Sequence, residues 1–99
     1  LKRMGPGRAG HMSFPMEGYT LAVDFPARDA ARGLIGMLQE MTLAVGGRIY
    51  LAKDALASGA VIRQMYPEHG DWADTVARAD PQGAYVTDIV RRLDLRGAP

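Results

Sequence analysis

The apolar residues of this chain change period once, and that change limits the folds open to it. From Tyr19 to Phe25 they alternate: Tyr19, Leu21, Val23 and Phe25 fall on one side, Thr20, Ala22 and Asp24 on the other. That is the pattern of a strand with one apolar face. Pro26 ends the run and suits the first turn of a helix. From Ala27 to Val45 the apolar positions recur in steps of three and four, at Ala31, Leu34, Leu38, Met41 and Val45, which predicts a helix with an apolar stripe. Gly46-Gly47 supplies a left-handed stop, and Arg48 to Leu51 then predicts a second, shorter strand. Strand, helix and strand make a βαβ unit, its strands parallel and either adjacent or separated by one other. Gly33 and Gly36 each weaken the helix by up to about 1 kcal/mol relative to alanine, which points to close packing on a sheet.

The remainder reads as short pieces. Residues 5–18 are a glycine- and proline-rich loop. Ala55 to Met65 predicts a helix carrying Leu56, Ala60, Ile62 and Met65, interrupted at Gly59 and stopped by Tyr66-Pro67. Glu68 to Ala79 predicts a short helix with Trp72 and Val76, Asp80-Pro81-Gln82-Gly83 a turn, and Val86 to Leu93 a last helix starting near Thr87 or Asp88. The fold class is α+β, a βαβ unit followed by short helices. At 99 residues, 47% hydrophobic and 23% charged, the chain can bury about two-thirds of its unfolded surface. Two strands and one helix cannot cover both their faces. The opening Leu1-Lys2-Arg3-Met4 has no initiator methionine and no signal peptide, so the expectation is the tail of a larger protein, with a longer apolar strand ending there. Leu95 to Pro99 reads as a natural frayed terminus.

Several functions are disfavoured. The net charge is +1 with scattered basic residues, so the footprint of a nucleic-acid binder is missing. Without cysteine there is no disulfide and no thiolate metal site, which fits a reducing, cytoplasmic setting. His11 and His69, the only histidines, lack ligand spacing, so no metal is expected and solvated or capping roles are favoured. Ser13 and Ser58 sit in no nucleophile-elbow context. Gly5-Pro6-Gly7-Arg8-Ala9-Gly10 matches G-x-G-x-x-G literally. The His11-Met12-Ser13-Phe14-Pro15 that follows cannot open the helix a dinucleotide site needs, so it is a loop. Asp71-Trp72 and Asp80-Pro81 read as structural. Arg91-Arg92 could grip a phosphate, but a solvated face or an ion pair suits them better.

Lys53 stands apart. Following Ile49-Tyr50-Leu51-Ala52, its base is expected in the interior and its head past the strand end, where α/β architectures collect ligand contacts. Such a lysine can be a fixed positive charge for anionic electron density, or simply a surface pair with Asp54. Tyr50, three residues earlier, can donate a hydrogen bond or wall a pocket.

Four stretches, SFPMEGYTLAVDFP (13–26), GGRIYLAKD (46–54), MYPEHGDW (65–72) and ADPQGAYVTDIVRRLDL (79–95), bear on that choice. In that order and spacing they resemble the C-terminal part of FAD-linked oxidases of the vanillyl-alcohol-oxidase type, over nearly the whole chain. In such proteins an N-terminal domain binds FAD, a substrate domain lays an antiparallel-rich sheet over the flavin ring, and a final segment returns to the FAD domain. The resemblance implies that residues 1–54 end a substrate (cap) domain and 55–99 form the helical return segment. The implied partner is the N-terminal FAD-binding domain of the same polypeptide, and the complete protein could be membrane-associated. Left alone, the bare edges and faces favour self-association.

Carried onto this sequence, the resemblance implies that Lys53 reaches both flavin and substrate and that Tyr50 lines the pocket. Lys2 matches a further pocket lysine. Thr20 and Ala22 stand where the family can hold an asparagine and a cysteine, so a covalent inhibitor aimed at that cysteine has nothing to attack. The family's base and flavin anchors lie outside these residues. The implied reaction is oxidation of a CH–OH group, of a sugar or sugar-derived substrate, by hydride transfer to flavin N5. The alternative is a standalone α+β binding or interaction domain without flavin.

Overall fold

A hairpin, not a crossover, joins the strands. The computed structural model describes residues 1–7 and 10–97, so Arg8 and Ala9 of the glycine-rich stretch and Ala98 and Pro99 of the predicted frayed terminus lie outside it. Strand β1, Lys2–Met4, pairs antiparallel with β2, Gly18–Thr20, in the register Lys2 to Thr20, Arg3 to Tyr19 and Met4 to Gly18. The class is α+β as expected, with a two-stranded sheet and four α-helices among the described residues.

The predicted βαβ unit is not formed. The ladder stops at Thr20, and Arg48 to Leu51 joins no ladder. Alternation in sequence marks a chain that can sit half-buried in a sheet; the sheet itself needs a hydrogen-bonded neighbour. Residues 21–25 and 48–51 have none among the described residues. In the second segment the packing shows why. Ile49 and Leu51 pack on the helical core, and the Ile49 carbonyl accepts from the Tyr66 hydroxyl at 2.7 Å, filling a position that a neighbouring strand would use.

Helix α1, Asp29–Ala44, follows the predicted period closely. It ends in a reciprocal stop: Gly46 at φ 75° donates to the Leu43 carbonyl, and Gly47 donates to the Thr42 carbonyl at 2.8 Å, the paired bonds of a Schellman motif. The stripe Leu34, Leu38, Met41, Val45 lies outward, with Met41 63% and Val45 84% exposed. The opposite face, through Ile35, Thr42 and Leu43, is half-buried, and Leu43 touches the core. A Cβ at Gly33 or Gly36 would meet nothing within 4 Å, so the close sheet contact expected at those glycines is absent among the described residues.

A 3-10 turn, Leu51–Lys53, leads to helices α2, Gly59–Met65, α3, His69–Ala79, and α4, Asp88–Arg92. Helix α2 starts later than its apolar pattern predicts because the Ser58 hydroxyl caps it, accepting from the Val61 amide, a strong start signal. Ala57, Ile62, Met65, Tyr66, Leu93 and Leu95 form the buried core, flanked by Ile49, Leu51, Trp72, Ile89 and Val90. The Asp80 turn forms as predicted and does more: its carboxylate accepts from the Ala84 and Tyr85 amides and from Arg96. Arg96 also donates to the Asp80 carbonyl at 2.6 Å, which clamps the tail onto the turn. No helix among the described residues is long and apolar enough to cross a membrane.

Candidate functional site

The 3-10 turn decides how Lys53 and Asp54 face. Successive residues of such a turn point about 120° apart, while residues three apart eclipse. Tyr50, in the extended region at φ −69° and ψ 122°, is the residue before the turn, and the Lys53 amide donates to its carbonyl at 2.9 Å. Tyr50 and Lys53 are both exposed. Lys53 sits on a turn, not at a strand end, and its stem is not interior as the sequence predicts. Among the described residues its ammonium has no hydrogen-bond or ion-pair partner.

Asp54 points the other way. Its side chain is 8% exposed and pairs with Arg92 of α4, Nη2 to Oδ1, at 2.6 Å. Arg92 Nη1 also donates to the Asp54 carbonyl. The Lys53–Asp54 surface pair is thus not formed, and Arg92 is the ion-pair member of Arg91-Arg92.

Register brings another two candidates together. Lys2 and Thr20 are directly opposed across the hairpin, and opposed residues of an antiparallel pair share a face. Ala22 lies beyond the ladder and is exposed. Thr20 also lines a groove of about 410 Å³ between the hairpin and the C-terminal end of α1, together with Phe14, Leu21, Thr42 and Val45. The Phe14 ring lies 5.3 Å from the Tyr50 ring, tilted 46°, so Tyr50 borders this groove through Phe14. Neither Lys2 nor Lys53 lines it, and among the described residues no hydrogen bond or ion pair joins the Lys2–Thr20 pair to the Tyr50–Lys53 pair.

Arg48 ties the Ser13 loop to Glu68 and Tyr66. It donates to the Ser13 carbonyl at 3.0 Å, lies 3.8 Å from a Glu68 carboxylate oxygen and covers the Tyr66 ring at 5.1 Å. Neither Arg48 nor Asp54 is singled out by the sequence as a scaffold residue; an arginine inside an apolar run is the only trace the first leaves. The structural reading of Trp72 holds, since it packs against the core. His69 touches the Leu95 carbonyl and stacks near Trp72, so it serves structure. Among the described residues no three His, Cys, Asp or Glu side chains gather as a metal site would require.

The residues fit a flavin as one wall only. An unneutralised ammonium and a phenol on an open surface, with Leu56 exposed nearby in sequence, suit the edge of an anionic ring. A glycine-rich turn cradles a pyrophosphate where it opens a helix, and here the turn at His11-Met12 leads instead into a loop.

No protein-family model matches the chain. It is 35% identical over 94 residues to decaprenylphosphoryl-beta-D-ribose oxidase of Mycolicibacterium smegmatis, covering 95% of this chain and 20% of that protein. It is also 39% identical over 98 residues to a Streptomyces coelicolor protein described as uncharacterized, in the mprA 5' region, covering 96% of this chain and 26% of that protein. The chain thus spans between a fifth and about a quarter of the length of these curated relatives. Over almost its whole length the chain is thus similar to one segment of decaprenylphosphoryl-beta-D-ribose oxidase, the kind of protein that its motifs resemble.

Proposed function

We propose that these residues form one wall of the active site of an FAD-dependent oxidoreductase that oxidises a CH–OH group of a sugar-derived substrate. The observation that carries the reading is the Lys53 ammonium, exposed and unneutralised because its neighbouring carboxylate is committed to Arg92. A cation held without a counter-ion is available to stabilise negative charge that develops during a reaction. The similarity to the Mycolicibacterium protein, by name an oxidase of a phosphoryl-linked ribose, supports a sugar-derived substrate.

FAD, bound mainly by the proposed N-terminal domain of the same polypeptide, would supply hydride acceptance. Lys53 would hold positive charge against the growing anion on ring or substrate oxygen. Tyr50, its ring braced by Phe14, would orient the substrate with its hydroxyl. Lys2 and Thr20, opposed on one hairpin face, would present an ammonium and a hydroxyl to the sugar or its anionic substituent, with Ala22 widening the pocket beyond them. The bare α1 stripe and the unladdered 21–25 segment favour this reading over a standalone binding domain, because a self-sufficient domain covers its long apolar stripes. In the complete protein they would be covered by the preceding domain.

Lys53→Ala in the complete, FAD-loaded protein is expected to slow flavin reduction by substrate by about 10²-fold, the scale of losing one preorganised charge-stabilising group. Wild-type reduction kinetics in that variant would remove the role assigned to Lys53.

A further inference from the structure

We infer that Asp54, gripped by Arg92 of the C-terminal helix, is a positioning residue that sets the direction of the Lys53 ammonium. The inference rests on the site role proposed for Lys53. Three features of the pair carry it. First, the grip has two points: Arg92 Nη2 meets Oδ1 at 2.6 Å, and Nη1 donates to the Asp54 main-chain carbonyl at 3.2 Å. Side chain and backbone at position 54 are therefore held together, and the end of the 3-10 turn is held with them. Second, the Asp54 carbonyl also accepts from the Ala57 amide at 2.8 Å, which fixes the exit from the turn as well as its end. Third, the carboxylate is buried with Oδ2 lacking any hydrogen-bond partner among the described residues. A buried carboxyl oxygen without a partner is costly, so packing alone does not account for Asp54 at this place.

What the ion pair does provide is direction. With Asp54 turned inward, the rotation of about 120° between successive residues of the turn leaves Lys53 on the outer side, where it is exposed. Leu51 packs on the core, but among the described residues no other side-chain hydrogen bond holds the turn, and its cap, Tyr50, makes none. The tail of the chain, 38 residues further on, thereby sets the aim of the candidate site lysine. Arg92 acts through Asp54, and Asp54 acts through Lys53.

The test has two parts. In this chain, amide hydrogen exchange is followed at Lys53, whose N–H donates to the Tyr50 carbonyl, and at Ile62, whose N–H donates to the Ser58 carbonyl. Asp54→Asn and Arg92→Met are expected to speed exchange at Lys53 about tenfold relative to Ile62, as the local turn opens without global unfolding. Arg92→Lys, which keeps the charge and loses the two-point grip, is expected to fall between them and wild type; it also serves should the harsher variants fail to fold. Unchanged exchange at Lys53 overturns the inference.

In the complete FAD-loaded protein, the flavin midpoint potential is measured for Lys53→Met, Asp54→Asn and the double variant. Lys53→Met is expected to weaken stabilisation of the reduced flavin about tenfold, about 30 mV for a two-electron couple. Asp54→Asn should move the potential the same way by a smaller amount, and the double variant should match Lys53→Met, because groups acting in series are not additive. Additive shifts would overturn positioning through Lys53. A wild-type potential in Lys53→Met would instead remove the site reading, while the exchange data judge the turn separately.

Discussion

Gly59→Ala is expected to be the most damaging single-methyl change in this chain. Gly59 opens α2 directly against the backbone before the chain's end. A Cβ built there would lie 2.1 Å from the Leu93 carbonyl oxygen, 2.8 Å from its carbon and 2.9 Å from Arg63 Nη1. Carbon–oxygen contacts under 3.0 Å essentially never occur, so α2 and the Leu93 segment must part by on the order of 1 Å. Leu93 is fully buried, and its carbonyl accepts from Arg63 at 2.9 Å. Overpacking of this kind costs about 1–3 kcal/mol, and loosening a hydrogen bond from a guanidinium costs about 1.5–3 kcal/mol more. Against this, alanine relieves the glycine's helix penalty by at most about 1 kcal/mol.

The net expectation is a loss of about 1.5–6 kcal/mol, which for a domain of this length lowers Tm by at least about 6 °C. Thermal melts followed by the helical circular dichroism signal measure it. Gly36→Ala is the internal control: a Cβ there meets nothing within 4 Å, so that variant should gain up to about 1 kcal/mol. A Gly59→Ala protein that melts at or above wild type would refute the close approach of α2 to Leu93.

Three further expectations concern the core, the acid limb of stability and the bare helix face. Tyr66→Phe removes the hydroxyl that donates to the Ile49 carbonyl at 2.7 Å and should cost about 1–2 kcal/mol, seen as a lower urea midpoint at unchanged slope. Hydrogen bonding from Arg96, then from the Tyr85 amide, pulls the Asp80 carboxyl down from 3.8 to about 2. Because its folded pKa lies below its unfolded value, Asp80 stabilises the fold fully above about pH 3.8, and that contribution fades as pH falls through about 2. Asp80→Asn should flatten this part of the acid unfolding curve, and an unchanged curve would count against the clamp. The exposed α1 stripe should drive self-association that Leu38→Glu with Met41→Glu abolishes, at a stability change within about 0.5 kcal/mol. Sedimentation of the wild-type chain as a monomer at high concentration would refute it.

The helices were legible because their signals are local. Apolar spacing, the Gly46-Gly47 stop, the Asp80-Pro81 turn and the Tyr66-Pro67 break each act within a few residues, and α1, α3 and α4 lie within two residues of where those signals put them. The βαβ unit was misread because alternation tells how a strand would sit but not what it pairs with. The 3-10 turn at Leu51–Lys53 follows from the same gap: without a neighbouring strand, the run after Ile49 curls toward the core.

In the candidate site, the sequence by itself determined the residue types, an ammonium and a phenol three positions apart, and the opposed character of Lys53 and Asp54. It also determined that no thiolate site could form, since there is no cysteine. Only the tertiary structure decided which of the two charges faces solvent. That choice depends on Arg92, 38 residues away, and on the core that brings α4 beside the turn. Likewise only folding set Lys2 against Thr20 and left the α1 stripe bare. Propensity and period act along the chain, whereas ion pairs, register and burial depend on which distant segments meet, and that information lies in the packing.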